Sequence, residues 1–194
     1  TGAKSDTLTV TYDNGAATGQ TVTAAQTGTG VAVATLAFNP LSKAFGNVTV
    51  GASSAAETFT ITNSGGSSAT NVYVALTTGT QFTLSGNGCG VIGAKITIAA
   101  AATCTVDVTF SPASTGAKSD TLTVTFDNGA ATGQTVTAAQ TGTGLSVAAL
   151  AITADTSANF GTRAINASTT SYLFTVTNSG GSPATAVAEN AGQL

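Results

Sequence analysis

Cys89 and Cys104 are the only cysteines in a 194-residue chain that has no His, Met or Trp. Two such residues can form a disulfide, remain as thiols, or supply half of a metal site. Zinc requires a tetrahedral shell of four ligands, which two Cys without His or a second Cys pair cannot complete. Cys104 opens the run Cys104-Thr-Val-Asp-Val-Thr-Phe110 and shares the parity of Val106, Val108 and Phe110, so its sulfur is expected to face a core. Cys89 lies in the Gly-rich stretch Gly86-Asn-Gly-Cys-Gly90, and a bridge to Cys104 would pin that loop to the start of the strand. Closing a loop of this length removes on the order of 3 kcal/mol of unfolded-state entropy. Such bridges persist outside the reducing cytoplasm, whereas two buried free thiols are the alternative reading.

The other reactive groups are sparse. Without His there is no His-based triad and no His metal ligand, and the Ser and Thr hydroxyls have no evident activating base. Asp13-Asn-Gly15 and Asp127-Asn-Gly129 each offer one carboxylate, whereas calcium takes six to eight oxygens, so both are read as turns. Asp107, between inward-facing Val106 and Val108, is expected on the solvent side. Lys118 and Asp120 read as a polar strand entry, paired weakly with each other at the surface. Asn47-Val-Thr49 and Asn166-Ala-Ser168 match the glycosylation sequon, a pattern short enough to arise by chance in a Thr/Ser-rich chain. The expectation is a non-enzyme with no cofactor and no metal.

Composition narrows the partners. Charged residues make up 7% of the chain, with 5 Lys+Arg against 8 Asp+Glu, so no basic patch exists to neutralise the phosphates of a nucleic acid. Apolar residues are mostly Ala and Val broken by Thr and Gly, and no run approaches the roughly 18 apolar residues of a spanning helix. No signal peptide is visible at Thr1, as expected of an internal segment.

The elements that would position these groups are repeated. Thr1–Gly30 reappears at Thr115–Gly144 with one difference, Tyr12 against Phe126. Residues 31–144 therefore make one complete unit of 114 residues, 1–30 the C-terminal part of a preceding repeat, and 145–194 the N-terminal part of a following one. In the third copy, Phe160-Gly161 and Phe174-Thr-Val-Thr-Asn-Ser-Gly-Gly181 match Phe45-Gly46 and Phe59-Thr-Ile-Thr-Asn-Ser-Gly-Gly66 at an offset longer by one residue, which places an insertion between the counterparts of Val31 and Phe45. The expectation is a window on a longer polypeptide.

Within the unit, apolar residues alternate with Thr, Ser or Asn at period two, as in Leu122, Val124 and Phe126 or Phe59 and Ile61. Turn signals at Asn63-Ser-Gly-Gly66, Ser85-Gly-Asn-Gly88, Ser111-Pro112 and Asp127-Asn-Gly129 separate the runs. The runs are 31–38, 48–51, 58–62, 71–76, 81–84, 95–98, 104–110, 121–126 and 134–139, predicting seven to nine short strands. The fold class is all-β: tandem immunoglobulin-like antiparallel β-sandwich repeats, with a closed barrel as the alternative.

Phe45-Gly46 with Val48 and Val50-Gly51, Thr58-Phe-Thr-Ile-Thr-Asn-Ser-Gly-Gly66, Cys89 with Cys104-Thr-Val and Phe110-Ser-Pro112, Thr115-Gly-Ala with Asp120-Thr-Leu-Thr-Val124, and Thr141-Gly-Thr-Gly144 occur in this order. The set resembles the bacterial hydin-type, ASH-like immunoglobulin-fold repeats of choice-of-anchor D surface proteins. The resemblance implies seven-stranded sandwiches strung along secreted or surface-attached bacterial proteins, with no common active site. The chain is thus expected to be a structural extracellular module, acting as stalk, spacer or self-associating filament or sheath. Its expected partners are neighbouring repeats and, in a fibre, identical chains. The competing reading is an adhesive module whose Thr rows or loops bind glycan, another cell surface or ice.

Overall fold

The computed structural model describes residues 1–154, 161–168 and 171–189, and these contain thirteen strands and no helix. In chain order they are β1 (Gly2–Tyr12), β2 (Gln20–Gly30), β3 (Leu36–Asn39), β4 (Ser42–Thr49), β5 (Glu57–Asn63), β6 (Ala69–Leu76), β7 (Phe82–Ser85), β8 (Ile96–Ile98), β9 (Thr103–Phe110), β10 (Gly116–Asp127), β11 (Gln134–Leu145), β12 (Leu150–Ala154) and β13 (Phe174–Asn178). β3 to β11 build a two-layer immunoglobulin-like sandwich. One sheet has the order β4-β11-β10-β6-β8 and the other β3-β5-β9-β7. All pairings are antiparallel except β4 with β11, which run parallel. The exception arises because the chain crosses between sheets after Asn39 and enters β4, an edge strand of the sheet that holds β11.

Alternation determines which residues are buried. Phe59 and Ile61 of β5, Val106, Val108 and Phe110 of β9, and Leu122, Val124 and Phe126 of β10 turn into one core, while the intervening Thr residues face outward. Several strand boundaries differ from the sequence expectation: β10 begins at Gly116 rather than 121, and β11 runs on to Leu145 rather than 139. The run expected from 31 becomes strand only at Leu36, because 31–35 wraps the turn that follows β5. The strand expected at 48–51 begins earlier, at Ser42.

In β4 the register to β11 shifts so that Phe45 and Gly46 oppose Gly142 alone. Gly46, at φ +71, takes the left-handed conformation of this bulge. The bulge sends Phe45 inward onto Phe82 and Phe110, with ring centroids 5.7 and 6.2 Å apart, and Phe82 stacks on Phe110 at 4.8 Å. Gly142 makes room for this cluster, since a Cβ there would sit 2.5 Å from Phe110 Cε1.

On either side of the sandwich lies an isolated two-stranded hairpin. β1–β2 pairs Gly2 with Gly30 through Tyr12 with Gln20, the same register as Gly116 with Gly144 through Phe126 with Gln134 in β10–β11. β12–β13 pairs Leu150 with Asn178 and Ile152 with Val176, matching Leu36 with Asn63 and Phe38 with Ile61 in β3–β5. This register places the extra residue of the third copy after Ala154 and before Phe160, outside the described residues.

The repeat supplies its own control for the aromatic cluster. Gly142→Ala forces a methyl into the Phe110 ring and is expected to cost about 1–3 kcal/mol in urea unfolding. Gly28→Ala, at the matching position of β2 with nothing within 4 Å, is expected to shift the same midpoint by less than about 0.5 kcal/mol. Equal effects from the two substitutions would refute this account of Gly142.

Candidate functional site

The structure joins Cys89 to Cys104 in a disulfide with Cα atoms 5.2 Å apart. The Gly-rich loop needs its glycines for space as well as for turning. A Cβ on Gly86 (φ +54) would meet Asp107 Oδ2 at 2.6 Å, and one on Gly90 (φ +77) would meet the Val72 carbonyl at 2.7 Å. Asn87 braces the loop from within, accepting from Cys89 N–H at 2.8 Å and donating to the Gly90 carbonyl at 3.0 Å. Gly88 N–H donates to Thr105 of β9 and Val74 N–H of β6 donates to Gly90. The bridged loop thus ties the two sheets together across one end of the core.

A second anchor was not singled out from the sequence. Asn63, read as the start of a turn, is fully buried. Its Oδ1 accepts from Thr35 N–H and Gly65 N–H at 3.1 and 3.0 Å, and its Nδ2 donates to the carbonyls of Ser67 and Ile98 at 2.9 and 3.1 Å. One side chain therefore holds the segment before β3, the turn after β5 and the end of β8. Asn178 repeats the pattern with Ala149 N–H, Gly180 N–H and the Ser182 carbonyl. The signal was present in the parity, because Asn63 follows Phe59 and Ile61 on the inward set.

The expectation for Lys118 and Asp120 is corrected. They do not pair with each other: Lys118 Nζ donates to Ser114 Oγ and the Thr115 carbonyl, while Asp120 is buried. Asp120 shares the parity of Leu122 and Val124, so β10 turns it inward beneath the β6–β7 connection. There it accepts from Thr78 N–H, Thr78 Oγ1, Gly79 N–H and its neighbour Thr121 N–H, at 2.8 to 3.1 Å. Burial pushes its pKa up, but the hydrogen bonds from Gly79, Thr121 and Thr78 outweigh burial and hold it below the ordinary 3.8. Gln140, opposite Asp120 on β11, is also fully buried, and its amide has no hydrogen-bond partner among the described residues.

The remaining candidates stay apart. Asp127 accepts from Asn71 Nδ2 and Gly133 N–H, and Asn128 accepts from Ala130 and Ala131 N–H; Asp13 and Asn14 cap their own loop in the same way. The Asn71 hydrogen bond, with Gly133 and the Lys95 charge, keeps the exposed Asp127 carboxyl below its usual range. Asp107 lies on the outer face and accepts from Thr58 Oγ1 at 2.6 Å. Asn47 and Asn166 are exposed. Thr rows cover both outer faces, with Thr60 opposite Thr105 and Thr123 opposite Thr137. Among the described residues no three of His, Cys, Asp and Glu come together, and no helix is long and apolar enough to cross a membrane.

Asp120 makes a pH signature. Because its folded pKa is depressed, its contribution is complete above the unfolded value and is lost as pH falls through the folded one. Asp120→Asn places an NH₂ among N–H donors and is expected to cost about 1–3 kcal/mol near about pH 7. The gap from the parent should begin to narrow below about pH 4 and close only as pH falls through the lower folded value. A gap that holds constant down to acid denaturation would contradict this role.

The sequence pattern described as "abnormal spindle-like microcephaly-associated, ASPM-SPD-2-Hydin" (ASH) matches residues 31–132, over half of the chain. No curated protein matches. Among solved structures, the chain is similar to the ASH/PapD-like domain 7 of human CEP192, at 12% identity and TM-score 0.46 over 58% of this chain and 86% of that one. It is also similar to part of the Vibrio cholerae VesB protease, at 17% identity and TM-score 0.46 over 56% of this chain and 31% of that one. A C. elegans MSP family member, WR4, matches at 12% identity and TM-score 0.38, over 56% of this chain and 96% of that one. The chain belongs to the ASH (ASPM-SPD-2-Hydin) family, whose sandwich domain fits a structural or adhesive module.

Proposed function

We propose that this chain is a non-enzymatic building block of a tandem array in an exported bacterial surface or secreted protein, serving as a stalk, spacer or sheath. One observation carries the reading: the hairpin that closes the central sandwich occurs again ahead of it, in the same register and with one residue changed. The hairpin that follows repeats the pairing of β3–β5. The flanking hairpins thus match parts of the central unit, and in an array of such units reach grows with the number of copies.

The junction supports a spacer. β11 runs on through Leu145 into the segment leading to β12, and Val50 N–H donates to the Leu145 carbonyl at 2.8 Å. Beside it, Thr49 of β4 and buried Ser182 of the following copy share a hydroxyl hydrogen bond of 2.6 Å. The Cys89–Cys104 bridge fits an oxidising compartment.

Protein taken from its native source and alkylated without reductant is expected to carry no label at Cys89 or Cys104 by intact mass. Two labelled cysteines would overturn both the bridge and the export reading. A glycan array and an ice-shaping assay are expected to return nothing, and a specific signal lost on substituting outward Thr residues would move the reading to an adhesin.

A further inference from the structure

In an Asn-Gly pair the side-chain amide is open to attack by the following main-chain nitrogen, because glycine has no Cβ to shield that nitrogen. The chain carries the pair three times, at Asn14-Gly15, Asn87-Gly88 and Asn128-Gly129. Their surroundings differ.

At Asn128 the loop between β10 and β11 supplies the groups that such an attack needs. Oδ1 accepts from Ala130 N–H at 2.9 Å and from Ala131 N–H at 2.8 Å, so two fixed donors face the oxygen on which negative charge develops as Cγ is attacked. Neither Asn128 Nδ2 nor Gly129 N–H has a hydrogen-bond partner among the described residues. Gly129 is exposed, and a cleft of about 540 Å³ lined by Thr70, Asp127, Gly129 and Thr132 among others opens beside it to water. Asn14 takes the same pair of caps, from Ala16 and Ala17 N–H at 3.0 and 2.8 Å.

At Asn87 the same groups are committed elsewhere. Gly88 N–H, the attacking nitrogen, donates to the Thr105 carbonyl at 2.8 Å. Asn87 Nδ2, the leaving group, donates to the Gly90 carbonyl at 3.0 Å, and Oδ1 accepts a single N–H, that of Cys89. Cys89 is itself bonded to Cys104, so the loop is not free to swing away and release them.

We propose that Asn128-Gly129 is a self-modifying site that converts without an enzyme to aspartyl and isoaspartyl forms, while the disulfide-locked loop holds Asn87-Gly88 inert. Gly129 N, its proton taken by hydroxide, bonds to Asn128 Cγ. The Cγ–Nδ2 bond breaks, and Nδ2 leaves as ammonia with a proton from water. Water then opens the resulting cyclic imide at either carbonyl, and no oxidant or reductant takes part. Opening to aspartate keeps an acceptor for Ala130 and Ala131 N–H and adds a negative charge beside Asp127. Opening to isoaspartate runs the main chain through Cγ, so the Asn128 carbonyl that accepts Ala34 N–H at 3.0 Å becomes a free carboxylate and the entry segment loses its tie to this loop.

Peptide mapping of the folded 194-residue chain during incubation in mildly alkaline buffer reads the mass change from amide to acid at each pair. The same chain, reduced and held in urea, is the unstructured reference. Asn128 is expected to convert in the folded chain at least as fast as in urea, and at least about tenfold faster than folded Asn87, a ratio that the loss of one oxyanion donor is sufficient to produce. In urea the two should convert at similar rates. Isoaspartate, captured by enzymatic methyl transfer to its carboxylate, should map in the folded chain to residue 128 and not to residue 87. Slower conversion of Asn128 in the folded chain than in urea, or folded Asn87 keeping pace with Asn128, would overturn the proposal.

Discussion

The buried Asn63 amide is the constraint on which the unit depends. A β-sandwich must anchor the chain where it enters, and here entry occurs through 31–35, which forms no strand. Asn63 takes Thr35 N–H, turns the chain at Gly65 and holds the carbonyl of Ile98. The packing is tight enough that a Cβ on Gly65 would lie 2.1 Å from the Val33 carbonyl. The entry segment is also tied to the far hairpin, because Ala34 N–H donates to Asn128 at the tip between β10 and β11. Replacing the amide with an apolar group would leave buried N–H and C=O groups unpaired at three places at once, at a cost that compounds. In the third copy, a Cβ on Gly180 would meet the Val147 carbonyl at 2.0 Å, so the device recurs where the fold begins again.

Much of this was legible as parity. Period-two alternation located all nine strands of the central sandwich, because Thr on one side and Val, Ile or Phe on the other leave little freedom of register. It failed where the chain departs from simple alternation. β4 is an edge strand with a bulge, so Lys43, Ala44 and Gly46 obscure the inward role of Phe45. Polar residues on the inward set were the other blind spot. Asn63, Asp120 and Gln140 all follow the parity of buried neighbours, yet a polar side chain at a strand end reads as a turn or a solvent-side residue. What decides their burial is the partner, and the partners Thr35, Ile98, Thr78 and Gly79 are distant in sequence.

The low charge of the chain gives these few polar anchors their weight. Among the described residues one salt bridge forms, between Lys43 and Glu57, at the partly exposed β4 and β5 rather than in the core. Surface pairs of this kind contribute little. Specificity falls instead to groups that must be satisfied inside: the Asn63 hub, the Asp120 carboxylate and the disulfide-locked loop. Each joins segments from different strands. Together they distinguish one sandwich from the other compact pairings that a Thr-, Val- and Ala-rich chain could adopt.

The same anchors show why hairpin pairing alone does not bury a core. In the central sandwich, β10–β11 meets β3 and β5, the aromatic cluster contributed from β4, β7 and β9, and the Thr78-Gly79 loop that holds Asp120. β12–β13 supplies only the counterparts of β3 and β5. Asp6 and Gln26 thus keep the identities of Asp120 and Gln140 without the surroundings that bury them. The central sandwich therefore owes its closed core to having all its strands in one chain, with a covalent bridge across its end.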